Sequence, residues 1–529
     1  MEQLNTILPK VQEDKEPAVE ATVENRQEQL LLNKVRQKFE IFGGISFIFG
    51  SCFTLLFYKT WIGINVLIFS LIMIFLILAV MKNLMLPVKT GTKFYFAGVV
   101  LLGVSTSYTS NNILQFLNII GMLFLLDLSL LHQMNEDHQW SFIKNIKQMF
   151  FLLFSSIASI GMPIIDSYKF FKKSKILKNN RSKNIIVGVL VSIPMLLLTT
   201  ALLSHADLLF GRLTSNIFSG IFSSNLFGVI FMTLFGFIAC YCILCSALYK
   251  EDEKERKPIE KADATIAITF MTLLCAVYML FCGIQLVYLF ANGLFALPNG
   301  FTFAEYARRG FFELLAVTVI NIVIMLLCTT AFQDNKFLRL LLSCMTVCTY
   351  IMIISATYRM YLYITAYHLT FLRLFVLLTL FIDAFVLAGV LIYVYNKNFL
   401  LFRYCVVVVS VCYITFTFTR PDYCIASYLV AQNEKLNLDD MRYLTQNLSL
   451  DAAPVVLTML KDSNRWDIEK HENRAMDYDG ELLEEDYNET FEDYVTMYYD
   501  RISYVKNNTG IKDFNYSNNR AASIYDSAR

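Results

Sequence analysis

Long apolar runs separated by short polar ones dominate the chain, and their lengths set the first expectation. A helix that crosses a bilayer needs about 20 predominantly apolar residues. Runs of this kind lie near residues 41–58, 61–81, 94–110, 113–131, 185–203, 225–249, 264–291, 310–332, 337–363, 371–395 and 399–418. Two further stretches are apolar but interrupted. In 148–165, Ser155, Ser156 and Ser159 gather on one side. In 206–222, Leu209, Phe210, Leu213, Ile217 and Ile221 recur at helical spacing, with Arg212, Ser215, Asn216 and Ser219 between them. Both read as amphipathic helices lying in the interface. The pattern predicts an all-α fold: a polytopic helical membrane bundle of about 11 transmembrane helices, with interfacial helices and a small helical C-terminal extramembrane piece.

Polar segments divide the rest. Residues 1–38 form a polar N-terminal tail, 39–420 the multi-span domain, and 421–529 a C-terminal extramembrane region. Within that last region, Asn437-Leu-Asp-Asp starts a capped amphipathic helix, and 466–500 is an acidic, tyrosine-rich segment that reads as a solvated face. Lysine and arginine set the orientation. Lys82, Lys89 and Lys93 follow the second run. Lys169, Lys172, Lys173, Lys175, Lys178, Arg181 and Lys183 precede 185–203, and Lys250, Lys254, Arg256, Lys257 and Lys261 follow 225–249. Basic loops stay cytoplasmic, and all three can do so only if 148–165 does not cross. The expectation is an N-terminus inside and a C-terminus outside.

Composition sharpens the class. Of the 529 residues, 56% are hydrophobic and 17% charged, with 45 Phe and 29 Tyr, and the mean hydropathy is +0.50. Soluble domains carry about 25% charged residues, so the apolar surplus faces lipid. The basic residues flank membrane runs and form no basic domain, which argues against nucleic acid as a partner. The polar first forty residues give no expectation of a cleavable signal peptide. All 12 cysteines except Cys424 lie in apolar runs. Cys240, Cys242, Cys245, Cys275 and Cys282 therefore read as small apolar filler rather than thiolate ligands. His132 and His138 bracket Glu136 and Asp137 without matching a metal motif, so neither metal nor other cofactor is expected. There is no His-Glu-x-x-His, Gly-x-Ser-x-Gly or phosphate-cradling glycine loop, and no Gly-x-x-x-Gly for close helix pairs.

Charge inside the bilayer is the remaining signal, because each such residue costs about 2.5–3.5 kcal/mol at a helix centre. Arg308, Arg309, Arg359, Arg373 and Arg420 fall at the outer boundary, where basic residues are scarce. Glu305, Arg309 and Glu313 recur at helical spacing and can neutralise one another as a helix start. Alternatively Arg308, Arg359 and Arg373, with the phenols of Tyr361, Tyr363 and Tyr367, line an outward cavity, since guanidinium forks suit phosphate and carboxylate. Arg308, Arg309, Glu313, Arg359, Tyr363 and Arg373 are the candidate ligand-binding residues. Asp127 and Asp383 are intramembrane carboxylates, either hydrogen-bonded to a neighbour such as Asn118 or Asn321 or forming a proton or cation site.

Six stretches carry a family resemblance. They are Ser204-His-Ala-Asp-Leu-Leu-Phe, Ala304-Glu-Tyr-Ala-Arg-Arg-Gly-Phe-Phe-Glu-Leu-Leu, Arg359-Met-Tyr-Leu-Tyr-Ile-Thr-Ala-Tyr-His-Leu-Thr-Phe-Leu-Arg, Arg420-Pro-Asp-Tyr-Cys-Ile-Ala-Ser-Tyr, Leu450-Asp-Ala-Ala-Pro-Val-Val-Leu and Phe514-Asn-Tyr-Ser-Asn-Asn-Arg-Ala. With them the chain resembles a bacterial family of polytopic membrane proteins filed as domain of unknown function, numbers four-one-five-three and four-one-seven-three. It departs from that pattern in having His368 where glycine is usual and in a longer acidic segment. The resemblance implies a bacterial cytoplasmic membrane and no established activity.

The expected function is a non-catalytic envelope protein with an outward-facing Arg/Tyr/Glu site. Its partners are the lipid bilayer, an anionic lipid or lipid-linked precursor, and an envelope protein. Two alternatives stand: a secondary transporter or permease using the intramembrane carboxylates, and a membrane enzyme acting on a lipid-linked substrate, for which Glu305, Glu313, Asp207 and Asp422 are the available acids and bases.

Overall fold

The computed structural model describes residues 31–135, 140–173, 225–249, 261–290, 311–432, 436–461 and 491–528, with scattered positions between 188 and 211. The fold is all-α. Helices α1 (Phe39–Phe57), α2 (Ile64–Leu84), α3 (Thr90–Tyr108) and α4 (Asn112–Met134) are followed by α5 (Phe142–Ala158) and α6 (Gly161–Lys173). Then come α7 (Asn225–Ala247), α8 (Ala264–Phe290), α9 (Phe311–Ala331), α10 (Lys336–Tyr367), α11 (Phe371–Tyr395) and α12 (Leu401–Phe418). Among the described residues, nine helices are long and apolar enough to cross a membrane, which makes this a multi-pass membrane protein. Each expected span except 185–203 coincides with a helix. That run and 206–222 lie largely outside the described residues.

Helix α3 is long enough but more polar than the nine, and its surroundings explain why. Its Tyr95, Val99 and Leu102 are buried in a cluster with Val66 of α2, Met122 and Leu125 of α4, and Val406 of α12. A helix shielded by protein on several sides needs less apolar surface than one facing lipid. Helices α1 and α7 pack by a different device. A Cβ on Gly50 would stand 2.3 Å from the Thr233 carbonyl oxygen, and one on Gly236 would stand 2.8 Å from the Gly50 Cα. Thr54 and Thr233 share a hydroxyl hydrogen bond of 2.9 Å beside that contact. Ser46, Gly50 and Thr54 thus form a small-residue stripe at four-residue spacing, which lets two backbones touch where no hydrophobic force distinguishes protein from lipid.

The bundle has two distinct ends. At the lower end, Lys89 Nζ donates to the Asn135 carbonyl at 2.8 Å. The Phe142 and Phe402 rings meet at 5.8 Å, and the Ala262 N–H donates to the Ala331 carbonyl while the Ala262 carbonyl accepts from the Gln333 N–H. Both helices of the bent pair α5 and α6, which meet at 49°, touch this end. Phe142 of α5 meets α12 near its start, while Ser155 and Ser246 share a hydroxyl contact near the end of α7. Asp166 of α6 accepts from both Nε (2.9 Å) and Nη2 (3.0 Å) of Arg36, just before α1, and from the Tyr241 hydroxyl at 3.1 Å.

At the upper end, five further helices gather: α13 (Pro421–Gln432), α14 (Leu438–Arg442), α15 (Ala453–Leu460), α16 (Phe491–Asn508) and α17 (Tyr516–Ala528). Asn437 caps α14, with Asp440 closing a capping box. In α16, Tyr494, Tyr498 and Ile502 are buried at four-residue spacing. These helices share a core that includes Ile425, Leu444, Leu457, Tyr498 and Ala521. Residues 462–490, most of the acidic segment, lie outside the described residues.

Candidate functional site

Two buried polar groups occupy the upper end, and both are built from residues far apart in sequence. The first lies where α8, α10 and α11 meet. Arg359 is buried in α10 and donates from Nη2 to Gln285 Oε1 of α8 at 3.0 Å, and Ser355 donates to the same oxygen at 2.9 Å. Tyr363 follows Arg359 by four residues and so shares its face. The Arg373 guanidinium, from the first turn of α11, lies 4.2 Å from the Tyr363 ring centroid, a cation–π contact. Arg373 also donates from Nη1 to the Tyr367 carbonyl at 2.6 Å and to the His368 carbonyl. It therefore caps the last turn of α10, whose carbonyls have no intrahelical donors. His368 sits there at φ 67°, ψ 175°, a region natural for glycine.

Of the residues singled out in the sequence, the structure joins Arg359, Tyr363 and Arg373. Glu313 is exposed at the start of α9, and Arg308 and Arg309 lie outside the described residues. Gln285 and Ser355 belong to the cluster although nothing in their own spacing marks them.

The second group ties the C-terminal helices to the α3–α4 turn. Asp451 accepts from the Ser110 N–H at 2.7 Å, the Ser110 hydroxyl at 2.9 Å and the Thr109 hydroxyl. Asp422 accepts from Asn111 Nδ2 at 2.8 Å and from the Ser449 N–H at 3.0 Å. Asn515 donates to the Thr109 carbonyl at 2.7 Å. Arg420, at φ 53°, donates to the Asp451 carbonyl at 3.0 Å and to the Ser517 hydroxyl at 3.1 Å. The Tyr108 and Tyr516 rings stack at 4.8 Å. Gly63 makes a neighbouring close approach: a Cβ there would lie 2.6 Å from the carbonyl oxygens of Asp513 and Phe514. Burial pushes the Asp422 carboxyl up from its ordinary value; bonds from Ser449 and Asn111 oppose that, and nearby Asp451 adds to it. The Arg420, Leu450 and Phe514 stretches, far apart in the chain, thus converge on one three-residue turn.

The intramembrane carboxylates part company. Asp383 of α11 accepts from Thr318 of α9 at 3.1 Å. One turn further along α9, Asn321 donates to Thr349 at 3.0 Å and accepts from Tyr278 at 2.7 Å. Asn118 is engaged elsewhere, with Ser105 and Tyr413. Asp127 is buried in α4 and neither of its oxygens has a hydrogen-bond partner. Cys275 and Cys282 of α8 point their thiols at carbonyls of α10 at 3.5 Å. Among the described residues, no group of three His, Cys, Asp or Glu side chains could hold a metal.

A family model described as Domain of unknown function (DUF4153) matches residues 96–459. No curated protein and no solved structure matches the chain.

Proposed function

The chain belongs to the DUF4153 family, and from its geometry we propose that it is a non-catalytic envelope protein which holds an anionic lipid, lipid-linked precursor or envelope partner at the upper end of the bundle. One observation carries this reading. Two guanidinium groups, Arg359 and Arg373, are buried around Tyr363 at a helix junction on that end. Arg373 is a positioning residue, spent on α10, and Arg359 is the ligand-facing candidate with Tyr363 beside it; Arg308, Arg309 and Glu313 would extend the site.

Charge supports an outward placement of this end. The lower turns carry Lys82, Lys89 and Lys93, then Lys336 and Arg339, then Lys397 and Arg403, a bias that belongs to the cytoplasmic side. The lower-end contacts of both α5 and α6 favour a pair that lies along that interface. The proposed arrangement has the N-terminus in the bacterial cytoplasm, residues 39–420 as the membrane domain and 421–529 outside.

The experiment is to identify lipids and proteins that co-purify with the full-length protein and with Arg359→Ala. Loss of an anionic lipid or partner from the variant is the expected result; identical association in both removes the site. A second reading, transport, has its own support in the unpartnered carboxylate of Asp127, since such a group in a membrane is protonated or faces a wet path. Equal proton flux through wild-type and Asp127→Asn proteoliposomes would remove that reading.

A further inference from the structure

A cavity lies at the opposite, lower end. Its volume is about 440 Å³, and its walls come from Trp140 and Ser141 with the start of α5, and from the α11–α12 turn with the start of α12. Its polar lining is one-sided. Lys397 and Arg403 supply two cations, and Asn145 and Asn398 supply amide groups, while none of the lining residues among those described is acidic. Ser141 caps α5 from the cavity wall. The first turns of α5 and α12 both line the space; the Lys144 N–H goes to Ser141 and the Leu401 N–H to the Phe399 carbonyl, while the other first-turn N–H groups have no intrahelical partner and carry a partial positive charge. Two helix starts and two cationic side chains therefore converge on one pocket.

Lys397 lies 4.7 Å from the Tyr393 ring centroid and makes a long 3.4 Å contact to the Thr329 carbonyl. Burial holds its ammonium below the ordinary lysine value; Asp334 opposes that, and Lys261 and Arg339 add to it. Asp334 is itself gripped by Arg339 through two oxygens. Trp140 at the rim has Lys144 5.3 Å from its ring centroid, an aromatic and basic edge of the kind found at the headgroup level.

We propose that this pocket binds a phosphate-bearing anion, with Lys397 and Arg403 as its charge partners and the starts of α5 and α12 as its N–H donors. The chemistry is that of a phosphate monoester or diester, whether it arrives on an anionic lipid headgroup or on a small soluble molecule. The volume lies within the range of small-ligand sites, which is about 300–1,000 Å³. This site is separate from the Arg359 cluster and stands or falls independently of it.

The test uses the full-length protein purified in neutral detergent, with native mass spectrometry for phosphatidylglycerol retention and calorimetric titration with glycerol phosphate. The variants are Lys397→Gln with Arg403→Gln, and separately Asn398→Asp, which places a carboxylate in the pocket while keeping side-chain size. The expected result is at least a ten-fold loss of glycerol phosphate affinity, or loss of one bound phosphatidylglycerol, in both, with thermal stability in phosphatidylcholine nanodiscs unchanged for Asn398→Asp. Retention of phosphatidylglycerol alone assigns a lipid headgroup; comparable binding of glycerol phosphate assigns a soluble ligand. Absence of both ligands from the wild type, or equal binding by wild type and Asn398→Asp, overturns the proposal.

Discussion

The carboxylate of Asp451 takes both the N–H and the hydroxyl of Ser110, at 2.7 and 2.9 Å, across 341 residues of chain. The Thr109 hydroxyl completes the grip. This fastens the C-terminal helices onto the turn between two membrane helices, and it does so with buried groups that water cannot replace.

Asp451→Ala removes the acceptor for all three donors, of which the Thr109 hydroxyl is buried and the two from Ser110 half-buried. A stranded buried group costs about 1–3 kcal/mol, so a loss of about 2 kcal/mol is expected. Limited proteolysis should then cut the C-terminal helices free of the bundle in the variant while wild type resists. Equal resistance would mean that the apolar core alone holds them.

Asp422 gives the docked region a pH signature. Its folded-state value is raised by burial, so the folded protein holds the proton more tightly than the unfolded chain. The stability from that difference is fully present below the ordinary aspartate value. It is lost as pH rises from there through the folded-state value. Asp422→Asn cannot ionise, and its oxygen can still accept from Asn111 and Ser449. Thermal unfolding across a pH series should show the wild-type decline and a flatter profile in the variant; superimposable slopes would assign the decline to other groups.

His368 holds a backbone conformation that glycine adopts at little cost, and such strain is worth about 1–3 kcal/mol. Arg373 bonds the carbonyls of Tyr367 and His368, and those bonds survive a side-chain change. His368→Gly is therefore expected to raise the melting temperature by an amount corresponding to about 1 kcal/mol. A lowered melting temperature would show that the imidazole contributes more than the backbone costs.

The helices were legible in the sequence because lipid permits few alternatives to an unbroken apolar helix. The pairing of those helices was not. Gly50 and Gly236 let two backbones meet closely, with Thr54 and Thr233, 179 residues apart, hydrogen-bonded beside them. No Gly-x-x-x-Gly marks it, because each helix contributes one glycine. Asp451 and Asn515 were likewise silent, since a polar residue in a polar segment gives no sign of a distant partner. Family resemblance touched the right stretches there without indicating that they meet. Arg359, Tyr363 and Arg373 stood out because charge at a membrane boundary is costly. Their partner Gln285 did not, because a neutral amide costs less.

In the proposed arrangement the C-terminal helices and the Arg359 cluster lie on the outer face and the α2–α3 turn on the inner face. Ile511 and Met85 are 92% and 83% exposed, one beside each end, and so report the two faces directly. With Cys424 changed to Ser, Ile511→Cys in intact cells should react with a membrane-impermeant maleimide, and Met85→Cys should react only after permeabilisation. Labelling of Met85→Cys in intact cells with protection of Ile511→Cys would contradict the orientation and, with it, the outward-facing site.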